Sequence, residues 1–219
     1  MRRRAIAGWL ARRVGLTACL AAAVPVPGHA QAGVHDSVVY RVDSSSRFEV
    51  RTGKAGLFGF AGHSHRIRAR SFTGVVVYVP GDPTRSRVSV VVAAESLEVL
   101  TPRDTAEIRK VTATMRRDVL DADHYPQIRL ASQTVAPTTN GFHAVAALTL
   151  RGTTRDVPID VKVEFHSDTL LAGCTFSVKQ SDFGISPYRG GPGGTVRVAD
   201  RVTFEIALVG VKRLGSTAR

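Results

Sequence analysis

Two histidines stand one residue apart in the segment FAGHSHRI, residues 60–67, and an arginine follows them directly. If this segment is a β-strand, His63 and His65 point to the same face, so both imidazoles can reach one metal ion. A third ligand would have to come from a distant strand, for example from His124 or His143, because no Cys-x-x-Cys or His-Glu-x-x-His motif accompanies the pair. Three roles stay open for the pair: a metal or catalytic site, a polar lining or head-group contact in a binding site, and a structural or surface position.

Two other residue patterns could suggest chemistry, but neither is accompanied by the motifs that such chemistry needs. Asp182-Phe183-Gly184 spells the magnesium-binding triplet of kinases, but no glycine-rich loop or catalytic loop accompanies it. We therefore expect Gly184 to allow a bend and Phe183 to plug the interior of the fold. Cys174 alternates with Ala172 and Phe176, which predicts a buried, inert thiol. The sequence predicts no enzyme and no cofactor, although an enzyme that uses His63 and His65 remains the alternative.

The first 32 residues have the pattern of an export signal. Five arginines and no acidic residue precede or flank an apolar run from Val14 to Pro27, and small residues at Ala30 to Ala32 suit a signal peptidase. We predict a signal peptide at 1–32, a mature domain at 33–219, and a periplasmic or secreted location. A lipoprotein box at Leu16 to Cys19 is the alternative, but only two apolar residues separate it from Arg13.

Charge and cysteine content narrow the class of protein. The chain has 219 residues and a net charge of +12, of which the signal supplies five, so the mature part carries 25 basic and 18 acidic residues. This charge is spread along the sequence without a cluster of basic and aromatic residues, so we do not expect nucleic acid binding. Because Cys19 leaves with the signal, Cys174 has no partner for an intrachain disulfide. A hydrophobic core must therefore stabilise the mature chain.

Apolar and polar residues alternate through most of the mature chain, a pattern typical of strands with one buried face. Strong alternation covers residues 88–94, 142–150, 157–165, 172–178 and 202–208, and weaker strands are expected near Val39, Phe48, Ile67, Val76 and Ile128. One segment departs from this pattern. Thr101 and Pro102 favour a helix start, and apolar residues then recur at three and four positions, which predicts a helix at about 103–120.

The apolar faces of these strands contain many small residues, which favours a barrel over a sandwich. A sandwich needs bulkier residues to fill its core, whereas a small closed barrel can keep a cavity for one ligand. We predict an all-β fold, an antiparallel eight-stranded, extended lipocalin-like β-barrel with one helix.

Five segments in order resemble the YceI-like family of bacterial periplasmic proteins: residues 53–76, 96–100, 115–132, 148–161 and 176–187. The resemblance implies a lipocalin-like barrel whose apolar lumen binds a polyisoprenoid or a similar long-chain amphiphile. The segment VDSSSRF departs from the usual opening of the family, so the ligand of this chain need not be the usual one.

The inferred function is that of a carrier for an isoprenoid or fatty-acyl lipid. Transient contact with a membrane surface and a homodimer are left open, as is the binding of anionic lipid through the basic surface. The alternation and the resemblance predict that the ligand contacts these residues: Val90, Val92, Ala144, Ala146, Leu148, Val161, Val163, Cys174, Phe176, Phe183, Phe204, His63 and His65. Arg66, Arg116 and Arg117 are further candidates for a head group.

Overall fold

The structure is a computed structural model that describes residues 37–55, 64–100, 105–190 and 196–213. The predicted signal peptide, His63 and the predicted helix start at Thr101 lie outside these residues. The described part of the chain contains these strands: β1 Val38–Val42, β2 Arg47–Ala55, β3 Arg66–Ala69, β4 Phe72–Tyr78, β5 Arg87–Ala93, β6 Leu97–Val99, β7 Gln127–Thr138, β8 Gly141–Leu150, β9 Thr153–Phe165, β10 Thr169–Lys179, β11 Arg189–Gly190 and β12 Val196–Lys212.

Eight of these strands close into an antiparallel barrel, which confirms the predicted fold class. The ring runs in the order β1, β4, β5, β7, β8, β9, β10, β12 and closes when β12 pairs with β1, Tyr40 lying opposite Lys212. The alternation that suggested the strands has its physical cause here, since each strand turns one face to the interior and one to water. The sequence did not indicate the short strands β6 and β11.

The long strand β12 extends the wall beyond the ring. Residues Arg197 to Ala207 of this strand pair with β2. Strand β2 also pairs with β3, and β3 pairs with β6. Within the described residues, β6 has no strand on its other side, so its backbone groups need other partners. A helix supplies two of them: the Thr112 hydroxyl accepts a hydrogen bond from the Val99 N–H at 3.1 Å, and Arg116 Nε donates to the Leu97 carbonyl at 2.9 Å.

This helix, α1, spans Thr105–Thr114 and continues as a π-helical turn, Met115–Val119. It confirms the predicted single helix. Its apolar stripe explains its position: Val111 and Met115 belong to one cluster of the core, and Val119 packs against the other, as Leu130 of β7 does. In the sequence α1 links β6 to β7, and in space it packs against β6. No helix within the described residues has the length and apolar character needed to cross a membrane.

A second insertion fills the wall between β9 and β10. The two strands pair only from Cys174 opposite Val161 to Leu170 opposite Phe165, and then part. The 3₁₀ turn Gln180–Phe183 follows β10 and ends at Gly184, whose φ of +69° is the left-handed conformation that glycine adopts without strain. This bend carries Phe183, which is 2% exposed, into the core beside β9 and β10.

The buried side chains form two clusters. One contains Tyr40, Phe48, Val90 and Leu208, and the other contains Leu148, Phe176 and Phe183. Leu120, Ile128 and Ile206 contact both clusters and join them. Between the two clusters the interior is hollow.

Candidate functional site

The hollow is a cavity of about 720 Å³ with predominantly apolar walls. Its walls come from β2, β3, β5, β6, β7, β8, β10 and β12, from α1 with its π-helical turn and from the segment after β10. A volume of this size falls within the range of about 300–1,000 Å³ that small-molecule sites occupy. The cavity is therefore large enough for an elongated apolar ligand.

Alternation along the strands placed about half of the predicted contact residues at this cavity. The ones that line it are Val90, Val92, Leu148, Phe176, Phe204 and His65. The described residues that do not line it are Ala144, Ala146, Val161, Val163, Cys174 and Phe183. His63 lies outside the described residues.

Ala144 and Ala146, which miss the cavity, face the interior where it is filled, whereas Val161 and Cys174 border a second pocket. Ala144 lies opposite Ile159 and Ala146 opposite Val157, and all four are at most 8% exposed. Alternation predicts which face of a strand is buried, but it carries no information on how far along the barrel the interior is packed. The ligand contacts predicted for these residues remain predictions.

One end of the barrel is closed by aromatic rings. Tyr78 of β4 and Phe165 of β9 have ring centroids 4.4 Å apart, and Phe142 of β8 lies 6.4 Å from Tyr78. Strands β4 and β9 stand on opposite sides of the eight-stranded ring, so rings that meet from these two walls close its cross-section. None of the three rings lines the cavity.

The other end of the cavity carries its solvent-exposed lining residues. Lys110 lies on the first turns of α1, and Tyr188 and Arg197 lie where β11 pairs with the start of β12. Thr52 and Gln180, both 9% exposed, add hydroxyl and amide groups nearby. We call this end the opening.

Sequence reasoning did not identify the polar residues of the opening, although two of them carried a signal. Thr52 continues the inward alternation of Phe48 and Val50, and Lys110 directly precedes Val111 of the apolar stripe of α1. Arg197 and Tyr188 gave no comparable signal, because the alternation recognised in the sequence of β12 begins only at Val202.

His65 is half-buried at the opening and is held by its backbone. Its N–H donates to Thr52 Oγ1 at 3.0 Å, and its carbonyl accepts from the Thr52 N–H at 3.0 Å. These two bonds fix the entry of the chain into β3 beside the cavity. Within the described residues, no three side chains of His, Cys, Asp or Glu are grouped to hold a metal ion.

The three arginines suggested for a head group do not line the cavity. Arg66 Nε lies 3.6 Å from Glu49 Oε2, Arg116 binds the β6 backbone, and Arg117 forms an exposed ion pair with Asp118 at 2.7 Å. The interactions of Arg66 and Arg116 connect elements of the wall, whereas the ion pair of Arg117 is local to one helical turn. The role predicted for them in head-group binding stays untested.

The second pocket, of about 940 Å³, is bordered by residues of β2, β3, β7 to β10 and β12, among them Val161 and Cys174, and the charges around it are largely paired. Arg51 Nε lies 2.8 Å from Glu205 Oε1, and Arg68 Nε donates to Glu49 Oε1 at 2.8 Å. Cross-strand pairs of this kind neutralise the outer face locally.

Cys174 faces the interior between the cavity and the closed end. Burial raises the pKa of its thiol to about 11, because an apolar environment disfavours the thiolate. The thiol is therefore protonated at neutral pH, and a protonated thiol is a weak nucleophile.

Comparisons with known proteins agree with this architecture. A family model described as a YceI-like domain matches residues 38–210. No curated protein sequence matches the chain.

Three solved structures share the fold. BcnA from Burkholderia cenocepacia is 21% identical, with a TM-score of 0.60 over 77% of this chain and 98% of that one. A polyisoprenoid binding domain from Saccharophagus degradans, implicated in plant cell wall breakdown, is 12% identical, with a TM-score of 0.56 over 80% and 98%. The YCEI protein from Campylobacter jejuni is 14% identical, with a TM-score of 0.52 over 67% and 84%.

Proposed function

Because the chain belongs to the YceI-like family, we propose that it is an exported carrier that holds a polyisoprenoid or similar long-chain amphiphile in its apolar cavity. The ligand enters through the opening and lies with its tail toward the aromatic rings of the closed end. The protein acts by sequestration, with no covalent step.

The cavity is the observation that carries this proposal. It has apolar walls and polar residues at its opening, which matches the polarity of an amphiphile, and aromatic rings close the barrel at the other end. Each methylene group that leaves water for such a cavity contributes roughly 0.8 kcal/mol. A chain of several prenyl or methylene units can thus offset the entropy lost on binding, although the net affinity stays well below the sum.

The comparisons support the same ligand class. The neighbour from Saccharophagus degradans is described as a polyisoprenoid binding domain, and the present chain shares its fold. An isoprenoid and a fatty-acyl chain differ in branching and width, so the match of tail to cavity walls would determine which one binds.

The proposed location is the periplasm or the cell exterior. The basic, apolar and small-residue regions of residues 1–32 support export with cleavage near Ala30 to Ala32. A carrier is useful in that compartment, since a long-chain lipid cannot cross an aqueous space alone in appreciable amounts.

Under this proposal His65 contributes to the polar rim, not to a reaction. The alternative enzyme would use His63 and His65 together. Replacement of both by alanine should leave tail binding within about twofold of the parent chain if the pair only decorates the opening. Loss of a measurable hydrolytic or metal-dependent activity in that variant would instead favour the enzyme.

The direct test is to express the full chain, purify the exported form, and identify co-purified lipids by solvent extraction and mass spectrometry. The delipidated protein is then titrated with farnesol, geranylgeraniol and oleyl alcohol. We expect a bound amphiphile in the extract and saturable binding in the titration.

A matched pair of variants links binding to the cavity. Ala69 lines the cavity and is 5% exposed, whereas Ala136 is exposed on β7 and lies outside it. Ala69→Phe should fill part of the cavity and lower affinity at least tenfold, about 1.4 kcal/mol, and Ala136→Phe should bind normally. Equal binding by both variants, or no binding by the parent chain, would overturn the proposal.

A further inference from the structure

We propose that the ligand carries an anionic head group, a carboxylate or a phosphate, and that Lys110 and Arg197 bind it at the opening. This inference rests on the proposed function, because it assumes that an amphiphile places its tail in the cavity. It assigns the head-group contact to two residues that approach the opening from different elements, α1 and β12.

Both side chains are exposed and line the cavity. Neither has an ion-pair partner among the described residues, in contrast to Arg51, Arg66 and Arg68 on the outer face. Two cations that form no ion pair among the described residues stand at the rim of an apolar cavity, and this arrangement favours an anionic group at that position.

The acidic residues that line the same cavity do not make the net charge at the opening negative. Glu107 lies one turn before Lys110 and also lines the opening, so the three charges at the opening sum to +1. Glu49 borders the cavity too, but its carboxylate binds Arg66 and Arg68.

The location of the charges suits an amphiphile better than a free anion. The opening is in contact with water, so a carboxylate or phosphate is not desolvated when its tail is buried. A guanidinium can bind either group through two parallel hydrogen bonds, and an ammonium adds a point charge. Because the contacts are exposed, each is expected to change affinity by only about two- to fivefold.

The experiment compares ligands that differ only in the head group. The exported, delipidated protein is titrated calorimetrically with oleate and oleyl alcohol, and with farnesyl phosphate and farnesol, at ~0.05 M and ~0.5 M salt. Acetate and inorganic phosphate serve as anions without a tail. Lys110→Gln and Arg197→Gln are compared with Arg109→Gln and Arg201→Gln, which remove exposed cations of the same two elements outside the cavity lining.

We expect the parent chain to prefer each anionic ligand over its neutral partner, and the preference to shrink at high salt. Lys110→Gln and Arg197→Gln should each weaken anionic ligands about two- to fivefold, with neutral ligands and the two controls unchanged. Equal affinity for charged and neutral partners, or an equal loss in the controls, would overturn the inference.

The remaining outcomes separate this inference from the proposed function. Binding of neutral ligands that is as tight as that of anionic ones refutes the head-group contact and leaves the carrier in place. Acetate or phosphate that binds as tightly as the tailed anions refutes the inference in favour of a free-anion site. If no tailed ligand binds, both the inference and the carrier fail.

Discussion

The barrel interior is hollow toward the opening and filled toward the closed end, although the same alternating strands build both regions. At the closed end the ring of eight strands is continuous, and Tyr78, Phe142 and Phe165 meet across it. Toward the opening, α1 packs beside β6, and the 3₁₀ turn Gln180–Phe183 contacts both β9 and β10. The inserted elements widen the wall in the way that extra strands widen a barrel.

This difference shows that alternation and cavity formation have separate causes. Alternation places side chains inside, but a cavity persists only where the wall is too wide for those side chains to meet. Small inward residues such as Ala144 and Ala146 do not create space, because their neighbours on β9 fill it. The two inserted elements determine where the hollow lies.

The largest effect should come from a filled position. Phe183 is 2% exposed and lines no cavity, so Phe183→Ala removes a side chain that is surrounded on all sides. We expect the free energy of unfolding to fall by about 3–5 kcal/mol, as measured by urea denaturation. Phe204 stacks on Phe176 at 4.9 Å but also faces the cavity, so Phe204→Ala should cost about 1–3 kcal/mol. Equal losses would contradict the contrast between the two regions.

Adding volume should likewise cost more stability in the filled region than at the cavity. Ala146→Phe introduces a ring where the interior is packed and should lower stability by about 1–3 kcal/mol. Ala69→Phe extends into the existing cavity and should cost less than about 1 kcal/mol while it impairs ligand binding. Thermal unfolding of the two variants, monitored by circular dichroism, gives the comparison. A larger loss for Ala69→Phe would mean that the cavity is not available to side chains.

Much of the fold could be predicted because it depends on local patterns. The period-two runs gave the main strands, and the spacing of Val111, Met115 and Val119 gave α1. Strand β6 could not be predicted, because three residues carry no period and helix side chains satisfy its backbone. The parting of β9 from β10 depends on contacts with a distant turn, which no local pattern encodes.

The site was less predictable for the same reason. Val90, Leu148 and Phe204 were placed at the cavity by alternation alone, since inward residues near the wide part of the wall line it. Lys110 and Arg197 line the same cavity although α1 and β12 are far apart in the sequence, and no local pattern encodes that relation. His65 was noticed for its chemistry, and its position at the opening follows from the pairing of β3 with β2.

The contribution of Cys174 to the free energy of unfolding should depend on pH. Burial raises its pKa to about 11 in the folded chain from an ordinary value near 9, so the unfolded chain loses this proton first as the pH rises. The stabilising contribution is complete below about pH 9 and is lost as the pH rises toward 11, with an expected size of about 1–2 kcal/mol after allowance for partial exposure.

The control for this pH dependence is Cys174→Ala. Burial also raises the pKa of Tyr40, so the parent chain loses stability at alkaline pH for two reasons. The difference between the parent and Cys174→Ala, measured by urea denaturation at pH values from ~7 to ~10.5, isolates the thiol. If the two stability curves run parallel over this range, Cys174 is not buried as the structure places it.

Changes on the outer face should be the smallest, because the contrast between the two regions depends on inward side chains. Arg51 pairs with Glu205 at 2.8 Å, but its side chain is 53% exposed. Arg51→Gln should therefore lower the free energy of unfolding by about 0.2–1 kcal/mol and leave tail binding unchanged, because water and salt screen the pair. A loss of stability as large as that of Phe183→Ala would show that the cross-strand ion pairs hold the widened wall together. The inserted elements would then result from the width of the wall and would not cause it.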